Sequence, residues 1–225
     1  MARGIFVTGT DTGIGKTLVA SALLRSLVAC GGHAIGMKPV AAGIDAGATE
    51  NADVVELYRA GNVDAPREER NPYAFAAPIA PHIAAANQGV HIDLATIGHA
   101  YAGLAGRADF VVVEGAGGAL VPLDARFDIL DVAATLDLPV LLVVGVRLGC
   151  INHACLSALA IRARGLRFAG WVANAVDRQT AEADASVATL RARLAAPLLA
   201  AIAFGTRPAF TAAELARVGL AFPTG

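Results

Sequence analysis

Short apolar segments alternate along this chain with longer segments whose apolar residues recur at helical spacing. The short segments are rich in branched residues, which is typical of strands buried on both faces of a sheet. They predict strands at Gly4–Thr8, Ala34–Val40, Phe110–Val113, Val140–Val146, Ala169–Ala173 and Leu198–Ala203. The regular alternation predicts an α/β fold, a doubly wound and mostly parallel sheet with helices on both faces.

The segments between these strands have helical periodicity. In the first of them Leu23, Leu24 and Leu27 fall on one stripe, and Gly31 follows as a C-terminal glycine. The predicted helices are Thr17–Cys30, Asp93–Arg107, Ile129–Leu136, Asn152–Arg164 and Thr180–Leu194, and one more begins near Asp53.

One segment, from Asn62 to Gly89, breaks the alternation. Four prolines make a long helix there improbable: Pro66, Pro72, Pro78 and Pro81. Long ordered loops usually carry function, so we expect an ordered excursion over the edge of the sheet.

Composition narrows the class of protein. A chain of 225 residues with 56% hydrophobic content can bury a large core, and without repeats or linkers we interpret residues 1–225 as a single domain. A formal net charge of −1 provides no basic field for nucleic acid and no polybasic membrane anchor. The longest apolar runs, such as Pro139–Val146, are far shorter than the roughly 20 residues of a spanning helix. We therefore expect neither a nucleic-acid partner nor a membrane partner.

The N-terminal residues and the cysteines indicate a cytoplasmic location. The stretch MARGIFVTG lacks the apolar region of a signal peptide, and Cys30, Cys150 and Cys155 are odd in number and lack metal-ligand spacing. The histidines lack ligand spacing too, so we predict no histidine metal site.

The stretch FVTGTDTGIGKTLVA, Phe6 to Ala20, reads as a strand, a glycine loop and a helix start. Glycines let backbone N–H groups face an anion, and the helix dipole adds positive potential, so this pattern predicts a phosphate loop. Lys16 would reach the terminal phosphates, and the Thr17 hydroxyl is placed to coordinate Mg²⁺. The loop is a variant, because Thr10 stands where the usual pattern has its first glycine.

Lysine is rare in this chain, which has only Lys16 and Lys38 and otherwise uses arginine. Lys38 follows the second predicted strand, so it lies at the carboxyl edge of the sheet, where doubly wound sheets bind ligands. We interpret it as a second phosphate-facing cation, because a compact ammonium can follow a moving phosphate. The alternative is a solvated charge at a strand end.

Two acids are candidate metal ligands. Glu114 ends the apolar strand of FVVVEGAGG, where an enzyme with a phosphate loop keeps a carboxylate on the magnesium side. Asp53 could reach the same ion, since Mg²⁺ prefers hard oxygen ligands. For Asp53 an ordinary first-turn acid, favoured by the helix dipole, remains an equal alternative.

A second anion site is predicted at RLGCINHA, Arg147 to Ala154, where a helix follows a buried strand. The free N–H groups of Ile151, Asn152 and His153 could receive a carboxylate. Simple N-capping by Asn152 or His153 is the alternative.

Taken together, these motifs resemble the dethiobiotin synthetase family. The resemblance covers most of the chain and rests, in order, on VTGTDTGIGKT, GMKPVAAG, NPYAFAAPIAPH, VEGAGG, VVGVRLGCINHA and GWVAN. It implies a P-loop NTPase-type fold and a homodimer that closes a ureido ring with ATP and Mg²⁺ as cofactors. The implied substrates are 7,8-diaminononanoate, CO₂ and ATP, and the products are dethiobiotin, ADP and phosphate.

The resemblance also implies site residues. Lys16 and Lys38 would be catalytic, and Thr17, Asp53 and Glu114 would hold the metal. ATP would contact Gly13, Ile14, Gly15, Lys16, Thr17, Leu18, Asp53, Glu114, Gly115, Ala116, Gly117, Asn174 and Ala175. The substrate would contact Thr12, Ala42, Gly149, Cys150, Ile151, Asn152 and His153, the last five across the dimer interface.

The chain departs from the family pattern at two places. Ala42 stands where many relatives have a serine or threonine, so one hydroxyl contact to the substrate is absent or replaced. Ala203–Gly205 stands where a proline-bearing segment is expected, which loosens the inference about base and ribose contacts and about preference for ATP.

Two other classes of protein share the variant loop. A nucleotide-switched partitioning or septum-positioning ATPase would carry another lysine at the position of Asp11, and this chain ends AFPTG without a basic amphipathic helix. A glutamine-dependent amidoligase would normally add a glutaminase domain, for which the chain has no room.

Overall fold

The computed structural model describes residues 3–178 and 182–222. In chain order the elements are β1 (Arg3–Gly9), α1 (Lys16–Ala29), β2 (Ala34–Met37), β3 (Val40–Ala42), α2 (Ala52–Ala60), α3 (Arg67–Arg70), β4 (Tyr73–Phe75), α4 (Pro81–Asn87), α5 (Leu94–Ala105), β5 (Phe110–Glu114), α6 (Ile129–Thr135), β6 (Val140–Val146), α7 (Cys150–Ala163), β7 (Phe168–Ala175), α8 (Ala183–Arg193), β8 (Leu198–Ile202) and α9 (Ala212–Arg217).

The main sheet is parallel and has six strands in the order β2-β5-β1-β6-β7-β8. Its two faces are covered by separate apolar clusters, and consecutive β1 residues alternate between them: Phe6 joins one cluster, whereas Ile5 and Val7 join the other. Residues of α5, α6 and α7 pack in the first cluster, and those of α1 and α9 pack in the second. The predicted doubly wound α/β fold is confirmed.

The predicted strand Ala34–Val40 is wrong as a single strand. The chain leaves the main sheet after Met37, and β3 pairs instead with β4 in a separate two-stranded parallel sheet. The physical reason is Pro39, which has no N–H to donate to a ladder. The break turns the chain over the carboxyl edge of the main sheet at Lys38.

The proline-rich excursion is ordered and contains no long helix, as predicted. It forms α3, β4 and α4, and α4 starts with Pro81 in its first turn. Its strand β4 holds β3 in place, so the excursion is anchored beside Lys38.

Two helices, α7 and α8, do not begin at the predicted residue. Helix α7 begins at Cys150, two residues before the predicted Asn152, because Gly149 adopts the left-handed conformation and serves as its N-cap. Helix α8 begins at Ala183, and the predicted start at Thr180 lies outside the described residues. Within residues 3–178 and 182–222, none of the helices combines the length and the apolar character that crossing a membrane requires.

Candidate active site

The loop between β1 and α1 is shaped by two glycines with positive φ, Gly13 at 71° and Gly15 at 90°. Gly15 is the N-cap of α1 and no side chain caps this helix, so its first N–H groups face the loop. From β7, Asn174 donates a hydrogen bond from Nδ2 to the carbonyl of Ile14 at 2.8 Å. The loop is therefore held open for an anion and tied to the sheet.

Lys16 lies inside this loop. Its Nζ donates to the Asp11 carbonyl oxygen at 2.7 Å, and the residue is only 7% exposed. Burial lowers the pKa of Lys16 from 10.5 to about 8, and the nearby Lys38 ammonium acts in the same direction, while Glu114 opposes both. A bound anion would restore the charge that burial disfavours.

Lys38 lies at the end of β2 between two carboxylates. Its Nζ is 2.6 Å from Asp53 Oδ2 and 2.7 Å from Glu114 Oε1. Burial disfavours the ammonium, but the two carboxylates outweigh burial and raise the pKa of Lys38 above its usual range. Burial likewise disfavours the Asp53 carboxylate, and Lys38 outweighs it and lowers the pKa of Asp53. The two carboxylates thus favour the charged form of Lys38.

Glu114, at the end of β5, is the most buried acid of the cavity. Its Oε1 accepts hydrogen bonds from Thr17 Oγ1 at 2.9 Å and from Lys38, whereas its buried Oε2 has no hydrogen-bond partner among the described residues. A buried carboxylate oxygen without a partner calls for a cation or a water molecule. With Thr17 and Asp53 nearby the donors are all oxygens, the set that Mg²⁺ prefers. No cluster of three His, Cys, Asp or Glu side chains suited to a metal occurs among the described residues.

These groups line one cavity of ≈ 670 Å³ at the carboxyl edge of the main sheet. The sequence-predicted residues that it brings together are Thr12, Gly13, Gly15, Lys16, Thr17, Lys38, Ala42, Asp53, Glu114, Ala116 and Gly117. The opposite wall comes from residues that were not predicted individually: Pro78, Ile79, Ala80, Pro81 and Val121. In the sequence, most of this wall could have been found only through the prolines, which predicted an ordered excursion.

Other predicted residues lie beside the cavity. Ile14 is buried in the core, and Leu18 packs against the same core cluster. The Gly115 N–H donates a hydrogen bond to the Val7 carbonyl. Ala175 lines a separate cavity of ≈ 340 Å³ together with Ala203 and Phe204.

The start of α7 differs from the prediction. The His153 N–H donates to the Gly149 carbonyl at 3.2 Å, so it is not free, because the helix begins two residues earlier than expected. Of the three predicted N–H groups, those of Ile151 and Asn152 remain available within the described part of the chain. In the part of the chain that the structure describes, no side chain caps α7, so neither Asn152 nor His153 does so.

Residues 149–153 are not part of the main cavity. His153 lines a neighbouring cavity of ≈ 410 Å³ that also contains Asp11 and Leu156. An ion pair between Arg147 and Asp11 joins the loop before α7 to the phosphate loop. Within one chain, therefore, the two predicted anion sites are adjacent but separate.

The chain resembles known proteins both in sequence and in fold. A family model described as "AAA domain" matches residues 3–206. The ATP-dependent dethiobiotin synthetase BioD of Aromatoleum aromaticum is 50% identical over 217 residues, covering 95% of this chain and 96% of that protein. The enzyme of the same name from Ralstonia nicotianae is 52% identical over 205 residues, covering 90% of each chain.

The solved structures that resemble the chain establish the fold alone. The septum site-determining protein MinD complexed with Mg-ADP, from Pyrococcus horikoshii, has a TM-score of 0.55 at 16% identity, covering 90% of this chain and 82% of that one. A likeness of this kind concerns the fold, and it does not favour the septum-positioning alternative. Sequence identity of about half over nearly the whole length, by contrast, shows that the chain belongs to the ATP-dependent dethiobiotin synthetase family.

Proposed function

We propose that this chain, acting as one domain over residues 1–225, converts 7,8-diaminononanoate, CO₂ and ATP into dethiobiotin, ADP and phosphate. The observation that carries the proposal is the convergence of the chain's only two lysines and the buried Glu114 in one cavity at the sheet edge. That cavity supplies positioning and positive charge but no activated nucleophile, which suits phosphoryl transfer.

The reaction has three steps. One amine of the substrate attacks the carbon of CO₂, forms a C–N bond and loses a proton, which gives a carbamate. A carbamate oxygen attacks the γ-phosphorus of ATP, the bond to the bridging oxygen breaks and ADP leaves. The second amine attacks the carbon of this mixed anhydride, loses a proton and expels phosphate, which closes the ring.

The residues of the cavity take distinct roles. Gly13–Thr17 with Leu18 cradle the phosphates, and Lys16 and Lys38 stabilise the negative charge on the transferred group and the carbamate. Thr17, Asp53 and Glu114 would hold Mg²⁺, which when bound neutralises phosphate charge. Lys38 forms ion pairs with both carboxylates, so it acts as their shared counter-ion until ligands enter.

The substrate lies between the first residues of the phosphate loop and the opposite wall of the cavity. Thr12 contacts the diamine, while Ala42 and the apolar wall formed by Pro78 and Ile79 pack against its aliphatic chain. Ala42 has no hydroxyl, so substrate affinity rather than chemistry depends on this position. Gly115, Ala116 and Gly117 follow the Glu114 strand beside the nucleotide, and Asn174 with Ala175 faces the base.

A homodimer completes the site in this proposal. Four leucines on or near α7 are exposed: Leu120 (54%), Leu148 (102%), Leu156 (56%) and Leu159 (63%). Large apolar patches on a protein surface mark sites of interaction. Pairing this face with a second copy buries these leucines. It also brings the free N–H groups of Ile151 and Asn152 near the partner's cavity, where they receive the substrate carboxylate. We further propose a cytoplasmic location.

The test is ADP release by the purified protein with MgATP and bicarbonate, with and without 7,8-diaminononanoate, and dethiobiotin measured by mass. Diamine-dependent ADP with equimolar dethiobiotin is the expected result. ATP hydrolysis that is slow and indifferent to the diamine would overturn the proposal and favour a nucleotide switch. Dependence on glutamine would favour an amidoligase.

A further inference from the structure

We propose that Asn71 is a positioning residue for Lys38: its side-chain amide holds the Lys38 carbonyl and thereby fixes the direction in which the ammonium points. The inference rests on the proposed function, because it concerns the lysine that is assigned to the transferred phosphoryl group. Asn71 lies in the motif NPYAFAAPIAPH, and no role has been assigned to it above.

Both backbone polar groups of Lys38 form hydrogen bonds with the excursion. Asn71 donates from Nδ2 to the Lys38 carbonyl oxygen at 2.7 Å and to the Tyr73 carbonyl oxygen at 3.0 Å. On the other side the Lys38 N–H donates to the Arg70 carbonyl at 2.9 Å. Asn71 is only 5% exposed, so its amide has no competing solvent.

Lys38 needs such partners because it lies at a break in the sheet. The last pair of β2 with β5 is Met37 with Val113, and Pro39 has no N–H with which to continue a ladder. A buried carbonyl without a partner costs about 1–3 kcal/mol. The amide of Asn71 therefore replaces the strand partner that Lys38 has lost.

The amide itself is held rigidly. The Asn71 N–H donates to the Arg67 carbonyl at 2.8 Å, and Pro72 follows, which restricts Asn71 to extended backbone conformations. The Tyr73 N–H donates back to the Pro39 carbonyl at 3.1 Å. These hydrogen bonds thus connect the excursion rigidly to the turn that carries Lys38.

The turn has to be fixed because the Lys38 ammonium contacts two carboxylates at once. Its Nζ lies within 2.7 Å of carboxylate oxygens from α2 and from β5. A rotation of the Lys38 peptide would move the whole side chain, and misplacement by about 1 Å can cost about 100-fold in rate.

The test compares Asn71→Asp with Asn62→Asp. Asn62 is a matched control, because its Nδ2 donates to the Gly32 carbonyl at 3.1 Å and it likewise braces β2, but at the end remote from the cavity. Asn71→Asp keeps the shape and loses the donors toward Lys38. We expect its kcat to fall about tenfold or more, with the KM for MgATP within about twofold of wild type. Asn62→Asp should retain wild-type kcat.

A second measurement reads Lys38 directly. Since the chain has only two lysines, labelling lysine with ¹³C at Cε gives two lysine signals, which Lys38→Arg assigns. In Asn71→Asp the Lys38 signal should move while the Lys16 signal stays, and in Asn62→Asp neither should move.

The outcomes separate the two proposals. Equal kcat in the two variants, or an unmoved Lys38 signal, would overturn the role of Asn71. If Asn71→Asp does not fold, Asn71→Ser replaces it, because serine keeps a single uncharged donor. Wild-type kcat in the serine variant would also overturn the role of Asn71. Absence of dethiobiotin formation by the wild type would instead overturn the proposed function, while the lysine signals would still report whether Asn71 orients Lys38.

Discussion

Lys38 and Glu114 form an ion pair that is closed to solvent: Nζ lies 2.7 Å from Oε1, and the side chains are 6% and 0% exposed. Removing one partner of such a pair leaves an uncompensated buried charge, which is more costly than the pair itself is stabilising. The pair therefore links the stability of the protein to the charge that the proposed chemistry uses.

Replacing Lys38 by alanine should lower turnover severely and leave nucleotide binding largely intact. We expect kcat to fall by about 100-fold or more, because a charge aimed at the transferred group is lost, and stability to fall by about 3 kcal/mol. Dethiobiotin formation, MgATP calorimetry and urea unfolding measure the three quantities. Lys38→Arg, which keeps the charge, is the control. Wild-type turnover in the alanine variant would contradict the role of Lys38.

Lys16 should destabilise the unliganded protein at neutral pH. The pKa lowering from 10.5 to about 8 corresponds to about 3 kcal/mol. Between these two pH values the unfolded chain binds more protons than the folded one, so wild-type stability should rise with pH across this window. Lys16→Met should be more stable than wild type at pH 7, by up to about 3 kcal/mol, and should lose nucleotide binding.

Urea unfolding from pH 7 to pH 10.5 checks this prediction. The difference between Lys16→Met and wild type should be largest below pH 8 and should shrink toward pH 10.5. A methionine variant that is less stable than wild type at pH 7 would show that the Asp11 and Glu114 contacts of Lys16 outweigh its burial.

The two loop glycines should differ in their tolerance of alanine. Gly13 has positive φ but open space around an added Cβ, so Gly13→Ala should cost about 1 kcal/mol. At Gly15 an added Cβ would overlap the Asn174 side-chain amide, so Gly15→Ala also breaks the bond from Asn174 to Ile14 and should cost about 3 kcal/mol. Urea unfolding and MgADP binding measure both variants. Equal losses would argue that Asn174 does not constrain the loop.

The proposed dimer face can be tested at Leu148, whose side chain is fully exposed in the single chain. Leu148→Asp should convert the dimer into a monomer in sedimentation velocity and should raise the KM for 7,8-diaminononanoate, because the carboxylate site would be lost. Val90→Asp alters an apolar residue that is also exposed but lies in the loop between α4 and α5, and it should leave association unchanged. A wild-type chain that sediments as a monomer while fully active would contradict the shared site.

The central part of the site was predictable from sequence because its signals are local. A strand, a glycine loop and Gly15–Thr17 follow one another along the chain, and parallel strands bring Lys38 and Glu114 to the same edge. For Asp53 the structure shows the first-turn acid, whereas its role as a ligand of Mg²⁺ stays a prediction. Asp53 lies in the first turn of α2 and also contacts Lys38.

The remaining features depend on contacts that the sequence does not display. Pro39 was a visible signal for the break after Met37, but the pairing of β3 with β4 involves residues about thirty positions apart. The cavity wall at Pro78–Pro81 arises from the same packing. The start of α7 was misplaced because a left-handed glycine replaced the expected polar N-cap.

Both lysine side chains are buried in the cavity, and every other basic side chain apart from the histidines is an arginine. The surface therefore presents no lysine amine. Exposed amines form carbamates with CO₂, imines with aldehydes and amides with activated esters, whereas guanidinium groups largely resist these reactions at neutral pH. An enzyme that joins an amine to CO₂ thus has no accessible lysine that could itself form a carbamate. A reagent that modifies lysines has to enter the cavity to react with one.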